Sequence, residues 1–183
     1  MAKHPWAKDR WVFGYASLMW LPGFEPAERL PGMVRGWRRD FTLMSTIAWG
    51  SPERPGLCAA LHPGGACLGA ALRVRAADWS KVEAYLRVRE QAYRWIEVPV
   101  SVPGGQVLAT TFAFDPDHPR AVGRLPFEET VRLIGQGAGR NGTSRDYLAN
   151  TLAAVVELGG GRNRYLQRVH RAVGALSNDG NIC

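Results

Sequence analysis

Cysteine and histidine are scarce in this sequence, three and four residues respectively in 183. Cys58, Cys67 and Cys183 are odd in number and show no Cys-x-x-Cys spacing, so they suggest neither a zinc framework nor a disulfide scaffold. Cys58 and Cys67 read as small core residues of a reduced chain. His4, His62, His118 and His170 fall at a terminus, in loops or on an arginine-rich helix, and are expected at the surface. Asp115-Pro116-Asp117-His118-Pro119 reads as a turn, not a metal cluster. No Gly-x-Ser-x-Gly elbow is present, which argues against a serine hydrolase. No apolar run nears the ~20 residues needed to cross a bilayer. Met1-Ala2-Lys3-His4-Pro5-Trp6 carries neither the apolar stretch nor the cleavage site of a secretory signal. These absences predict a cytoplasmic chain with no membrane partner and no metal.

Apolar residues make up 46% and charged residues 21%, a composition that supports a packed core. The length suits one domain over 1–183, with loose ends expected near 1–9 and 177–183. The formal charge of +7 admits nucleic acid, a membrane surface or an acidic small substrate. Its arginines are dispersed: Arg35, Arg38 and Arg39, then Arg73 and Arg75, then Arg162, Arg164, Arg168 and Arg171 at mostly helical spacing. Without interleaved aromatics, that last group reads as a solvated helix face and not as a nucleic-acid stripe.

Trp11 to Tyr15 reads as a buried first strand, running directly into Ala16-Ser17-Leu18. Residues 31–47 suggest one or two strands with a bend at Gly36. Leu57 to Leu61 and Cys67 to Val74 read as short strands separated by Pro63-Gly64-Gly65. Ile96, Val98, Val100 and Val102 alternate with period two, turn at Pro103-Gly104-Gly105, and return through Val107 to Phe114 as a hairpin. Helices are expected from Trp79 to Glu90 capped by Asp78, from Phe127 to Ile134, after Ser144 as a cap, and from Asn163 to Ala175. Gly135-Gln136-Gly137-Ala138-Gly139 has the look of a nucleotide loop, but it follows a helix and not a strand. It reads as a flexible loop bordering the site. The fold class is α+β: a small mixed β-barrel with flanking helices.

One carboxylate breaks the pattern. Val82 and Leu86 mark the apolar stripe of the first helix, and the next step of four lands on Glu90. A carboxyl on that face is kept neutral, paired or used, and desolvation would raise its pKa toward what a general base needs. The alternative is a salt bridge at an opening helix end, since Arg87, Arg89 and Arg94 are close in sequence. Glu83 falls on the polar side, and Glu97 alternates away from the valines of its strand.

Four stretches, in order over about residues 10–175, resemble the ChaC-type γ-glutamylcyclotransferases. They are Phe13-Gly14-Tyr15-Ala16-Ser17-Leu18; Arg35-Gly36-Trp37-Arg38-Arg39-Asp40-Phe41 with Pro52 to Leu57; Tyr85-Leu86-Arg87-Val88-Arg89-Glu90; and Ser144-Arg145-Asp146-Tyr147-Leu148. The resemblance implies a cofactor-independent intramolecular acyl transfer on a γ-glutamyl peptide such as glutathione, giving 5-oxoproline and a released amine. It places the acid/base role on Glu90 and the γ-glutamyl site on Tyr15, Ala16, Ser17 and Leu18, with Arg39 and Tyr147 as further substrate-binding residues. Arg39 would bind a carboxylate or brace the barrel, and Tyr147 would wall the pocket or simply fill the core. It also implies a monomer or weak dimer. The alternatives are a cyclotransferase for other γ-glutamyl amines or amino acids, or a non-catalytic γ-glutamyl-binding relative.

Three positions depart from the family pattern. Ala16 stands where glycine is usual, and φ < 0 is expected there because a left-handed alanine costs roughly 1–2 kcal/mol. Trp49 stands where relatives often carry an arginine. Ala92-Tyr93-Arg94 follows Glu90 closely, where family glycines before a tyrosine are partly deleted.

Overall fold

Strand β1, Arg10–Gly14, is short and apolar, and Val12 and Phe13 are fully buried. Its position accounts for this: it pairs antiparallel with β3 (Gly56–Val74) on one side and parallel with β5 (Gly105–Phe114) on the other. With β2 (Glu28–Ser45) and β4 (Tyr93–Val102), these strands close a barrel in the order β1-β3-β2-β4-β5. Thr111 Oγ1 donates to Phe13 O at 2.8 Å, tying β5 to β1 inside the wall. Closure leaves no free sheet edge between β1 and β5. The computed structural model of the chain describes residues 9–161 and 163–178.

β2 and β3 form one long antiparallel ribbon, with 18 and 19 residues. The bend expected at Gly36 is a register shift between Arg35 and Trp37, and Gly36 itself has φ +80°. The two short strands expected around Pro63-Gly64-Gly65 are instead one strand. Gly64 (φ +98°) and Gly65 (φ +78°) absorb the irregularity opposite the bulged partner, so pairing resumes without a turn. The β4–β5 hairpin has its expected phase: Val98 and Val100 are buried, Glu97 is exposed.

The long helices are α1 (Trp79–Arg89), α2 (Phe127–Gln136), α3 (Ser144–Glu157) and α4 (Arg164–Asn178). Two expected caps are corrected. Asp78 precedes α1 but makes no side-chain cap bond, because its own backbone is already helical. Thr143, not Ser144, caps α3: its hydroxyl accepts from Asp146 N–H while Asp146 accepts from Thr143 N–H, a reciprocal capping box. Ser144 is the first helical residue, and its buried hydroxyl donates to Trp49 O at 2.7 Å. Asn163 caps α4 through Leu166 N–H. Leu166, Val169 and Val173 are its buried stripe, while Arg164, Arg168 and Arg171 lie outside, as their spacing implies.

Phe13, Phe41 and Phe112 are fully buried in a core that runs from the barrel to these helices. Truncating any of them would cost about 3–5 kcal/mol. Of the expected loose ends, 1–8 and 179–183 lie outside the described residues. Asp9 is held: its carboxylate accepts Ala76 N–H and pairs with Arg73 at 2.6 Å, contacts that in that order keep it below the usual carboxylate range. No described helix is long and apolar enough to cross a membrane.

Candidate active site

At the end of β1 the chain folds back at once into a 3-10 turn, Ser17–Met19. Gly14 permits this, because a Cβ there would sit 2.7 Å from Leu18 Cβ. Met19 N–H closes on Ala16 O at 2.8 Å, and Leu21 N–H on Ser17 O at 2.8 Å. Among the described residues, the N–H groups of Ser17 and Leu18, at the start of this turn, find no such backbone partner. Ala16 has φ −143°, so alanine carries no left-handed strain. Tyr15 is pinned at both ends. Its hydroxyl donates to Phe112 O at 2.6 Å, and its carbonyl accepts from Arg39 Nε. Arg39, buried, also donates from Nη2 to Leu68 O at 2.6 Å.

Glu90 sits one residue past the last turn of α1, and its N–H still closes on Leu86 O at 2.8 Å. The 82–86–90 stripe is buried throughout, and Glu90 is only 8% exposed. Burial pushes its carboxyl above the ordinary glutamate value of 4.5, and Arg89 opposes that rise without cancelling it. Arg89 Nε lies 2.9 Å from Glu90 Oε1. The rest of its guanidinium is committed: Nη2 to Ser17 Oγ at 2.9 Å, and Nη1 to Leu21 O, Pro22 O and Tyr85 OH at 2.7–3.1 Å. The burial and the salt bridge expected as alternatives for Glu90 therefore occur on the same side chain. Arg94, an expected partner, pairs instead with Asp115 and Asp117 across the mouth of the hairpin. Arg87 pairs with Glu83.

Glu90 and the 15–18 loop face a common small pocket, completed by Ala59, Tyr93, Phe112 and Tyr147. Three tyrosines thus surround one carboxyl. Burial holds the pKa of each well above the ordinary tyrosine value, so all three remain neutral. Tyr15 and Tyr93 donate to the carbonyls of Phe112 and Ala59. Tyr147 is different: its oxygen accepts Ala59 N–H at 3.1 Å, which leaves its proton available. Ser17 Oγ likewise accepts from Arg89 and keeps its own proton to donate. The pocket therefore combines a raised carboxyl with two hydroxyl donors and a turn of backbone N–H groups.

This pocket opens into a wider cleft that shares Ser17, Glu90, Tyr93 and Tyr147 with it. The cleft is walled by Ser45, Ile47, Ala48 and Trp49, the end of α1, and Arg120, Arg140 and Asn141. The segment 135–139, expected as a flexible loop bordering the site, contributes no residue to the lining of the cleft, which takes Arg140 and Asn141 just after it, and it is a packed structure. Ala138–Gly139 and Gly142–Thr143 form a two-stranded ribbon, β6 and β7. A Cβ on Gly139 would lie 2.5 Å from Gly50 N and O, and one on Gly137 2.6 Å from Gly56 Cα. The glycines there allow backbone to lie on backbone.

The model of the ChaC-like protein family matches residues 10–176. The chain belongs to that family. Among its relatives, the glutathione-specific γ-glutamylcyclotransferase of Escherichia coli is 32% identical over 154 residues, covering 81% of this chain and 66% of that protein, just under two thirds. γ-Glutamylcyclotransferase 2-3 of Arabidopsis thaliana is 33% identical, covering 81% of each chain. Glutathione-specific γ-glutamylcyclotransferase 1 of Rattus norvegicus is 33% identical, covering 91% of this chain and 79% of its own length. In fold, the chain matches the crystal structure of a yeast γ-glutamyl cyclotransferase specific to glutathione, with a TM-score of 0.85 at 23% identity over 91% of this chain and 96% of that one.

In this ChaC-like chain, Tyr15, Ala16, Ser17, Leu18, Glu90 and Tyr147 converge on one pocket. Arg39 does not line it; the guanidinium lies behind the loop, on the Tyr15 carbonyl, beside a different pocket with Arg124 and Tyr165. Tyr93, Ala59, Phe112 and Arg89 were not singled out from sequence. Only Tyr93 and Arg89 carried a signal, as neighbours of Glu90 in the motif. Two residues leave their expected places. Cys58 lines the cleft, its thiol pushed up to about 12 chiefly by burial. His62 is half-buried, bonded to Thr42 Oγ1 at 2.7 Å and stacked on Phe114, which lowers its pKa through desolvation.

Proposed function

We propose that this chain is a γ-glutamylcyclotransferase that converts glutathione, or a related γ-glutamyl peptide, to 5-oxoproline and the released amine. The observation that carries this reading is the buried Glu90 facing the 15–18 turn across one small pocket. Nucleophile and electrophile belong to the same substrate group, so the protein has to fold the γ-glutamyl arm and move protons. Such tethering supplies effective molarities on the order of 10⁵ M or more.

Glu90 takes a proton from the α-ammonium, and the freed amine attacks the γ-carbonyl. The oxyanion that forms is stabilised by donors of the 15–18 turn and by Tyr147 or Ser17 hydroxyl protons. Glu90 then returns its proton to the departing nitrogen and the C–N bond breaks; the ring nitrogen passes its second proton to the released amine, which leaves as an ammonium, and the five-membered ring is complete. A carboxyl held above its ordinary pKa suits both steps, since it is a better base and is restored as an acid. Arg39 acts from behind, bracing the Tyr15 carbonyl so that the turn keeps its shape.

The remaining expectations accompany this reading: the chain works as one domain, in the cytoplasm, as a monomer or weak dimer, and without nucleic acid. The test is to incubate purified protein with glutathione and γ-glutamyl dipeptides and assay 5-oxoproline, alongside Glu90→Gln. Turnover by the wild type and its loss in a folded variant are expected. A folded Glu90→Gln protein with full activity would remove Glu90 from the chemistry.

A further inference from the structure

Arg89, Arg120 and Arg140 line the outer cleft, and Glu90 is the single acidic residue among its lining. Arg89 is used up by Glu90, Ser17, Tyr85 and the Leu21 and Pro22 carbonyls. Arg120 and Arg140 are held only by their backbones. Arg120 N–H donates to His118 Nδ1 and its carbonyl accepts Met44 N–H at 2.8 Å. Arg140 N–H donates to Ile47 O at 2.8 Å, and Asn141 N–H to Ala48 O at 2.7 Å. Among the described residues neither guanidinium has an acidic or carbonyl partner. Other arginines are unpaired as well, but they lie away from this cleft; here two fixed backbones present uncommitted cations to it.

A γ-glutamyl peptide brings two carboxylates. The one on the α-carbon stays with the compact ring-forming group in the inner pocket. The other, on the departing amine, has to lie in the outer cleft. We infer that Arg120 and Arg140 bind that second carboxylate, so that the enzyme selects γ-glutamyl peptides ending in a free carboxylate over neutral γ-glutamyl amines. This rests on the cyclisation reading above.

The test compares 5-oxoproline formation from glutathione and from its C-terminal carboxamide, as a ratio of kcat/KM. The proteins are wild type, Arg120→Gln, Arg140→Gln, the double variant, and Arg35→Gln as an exposed arginine outside the cleft. Wild type is expected to favour the carboxylate by about tenfold, in line with charge-assisted hydrogen bonds. The double variant is expected to bring the ratio close to one, while Arg35→Gln keeps it. Raising the ionic strength should narrow the wild-type ratio. A wild type without preference, a double variant that retains it, or an equal change in Arg35→Gln overturns the proposal while the cyclisation reading stands. No 5-oxoproline from either substrate overturns that reading, and the proposal with it.

Discussion

Arg89 and Glu90 are adjacent in sequence and bonded to each other, Nε to Oε1 at 2.9 Å, at the end of one helix. Neighbouring residues on a helix normally diverge by about 100°, as 3.6 residues per turn require. Here the helix stops between them, with Glu90 at φ −104° and ψ 27°, and the two side chains converge. The same guanidinium then reaches Ser17, so Glu90 and the 15–18 turn share one anchor.

Replacing Arg89 should therefore move the pH profile as well as the rate. Arg89 holds the Glu90 pKa down against burial. In Arg89→Gln the acidic limb of kcat/KM is expected to shift to higher pH. Arg89→Lys, which keeps the charge but not the fork of donors, should restore much of the limb's position and less of the rate. A limb that does not move in Arg89→Gln would assign it to another group.

Glu90→Gln should separate activity from stability. Loss of both proton transfers is expected to lower kcat by about 10³-fold or more. Because the folded-state pKa is raised above 4.5, the folded chain holds this proton more tightly than the unfolded chain. The stability linked to it is complete below the unfolded value and is lost as pH rises through the folded one. The neutral variant lacks that slope. Thermal melts from pH 4 to 8 should show it gaining on wild type as the pH rises.

Tyr147→Phe keeps the ring packed against Trp20, Phe41 and Trp49 but strands the buried Ala59 N–H. A loss of about 1–3 kcal/mol is expected in urea unfolding. Since Tyr147 also lines the pocket, turnover should fall as well, measured well below the unfolding midpoint.

Two glycine substitutions should differ in sign. Gly139→Ala sets a Cβ 2.5 Å from Gly50 backbone atoms, which cannot swing aside, and should cost about 1–3 kcal/mol or more. Gly174→Ala, inside α4, meets nothing within 4 Å and should add roughly 0.5–1 kcal/mol. Denaturation midpoints of the two variants check both.

By itself the sequence determined the barrel's ingredients and the helix face that carries Glu90. Period-two valines set the hairpin, the 82–86–90 spacing put a carboxylate on an apolar stripe, and the Tyr15-to-Leu18 stretch followed a buried strand. These are local regularities, carried by the repeat of a strand or a helix turn. Only the tertiary structure decided what crosses between elements. It joined two short strands into β3, because their partner β2 continues past the glycines. It moved the α3 cap to Thr143, turned Arg39 behind the loop, and brought Tyr93, Ala59 and Phe112 into the pocket. Barrel closure sets those neighbours, and contacts made across 24 to 98 residues of chain leave no period in the sequence to read.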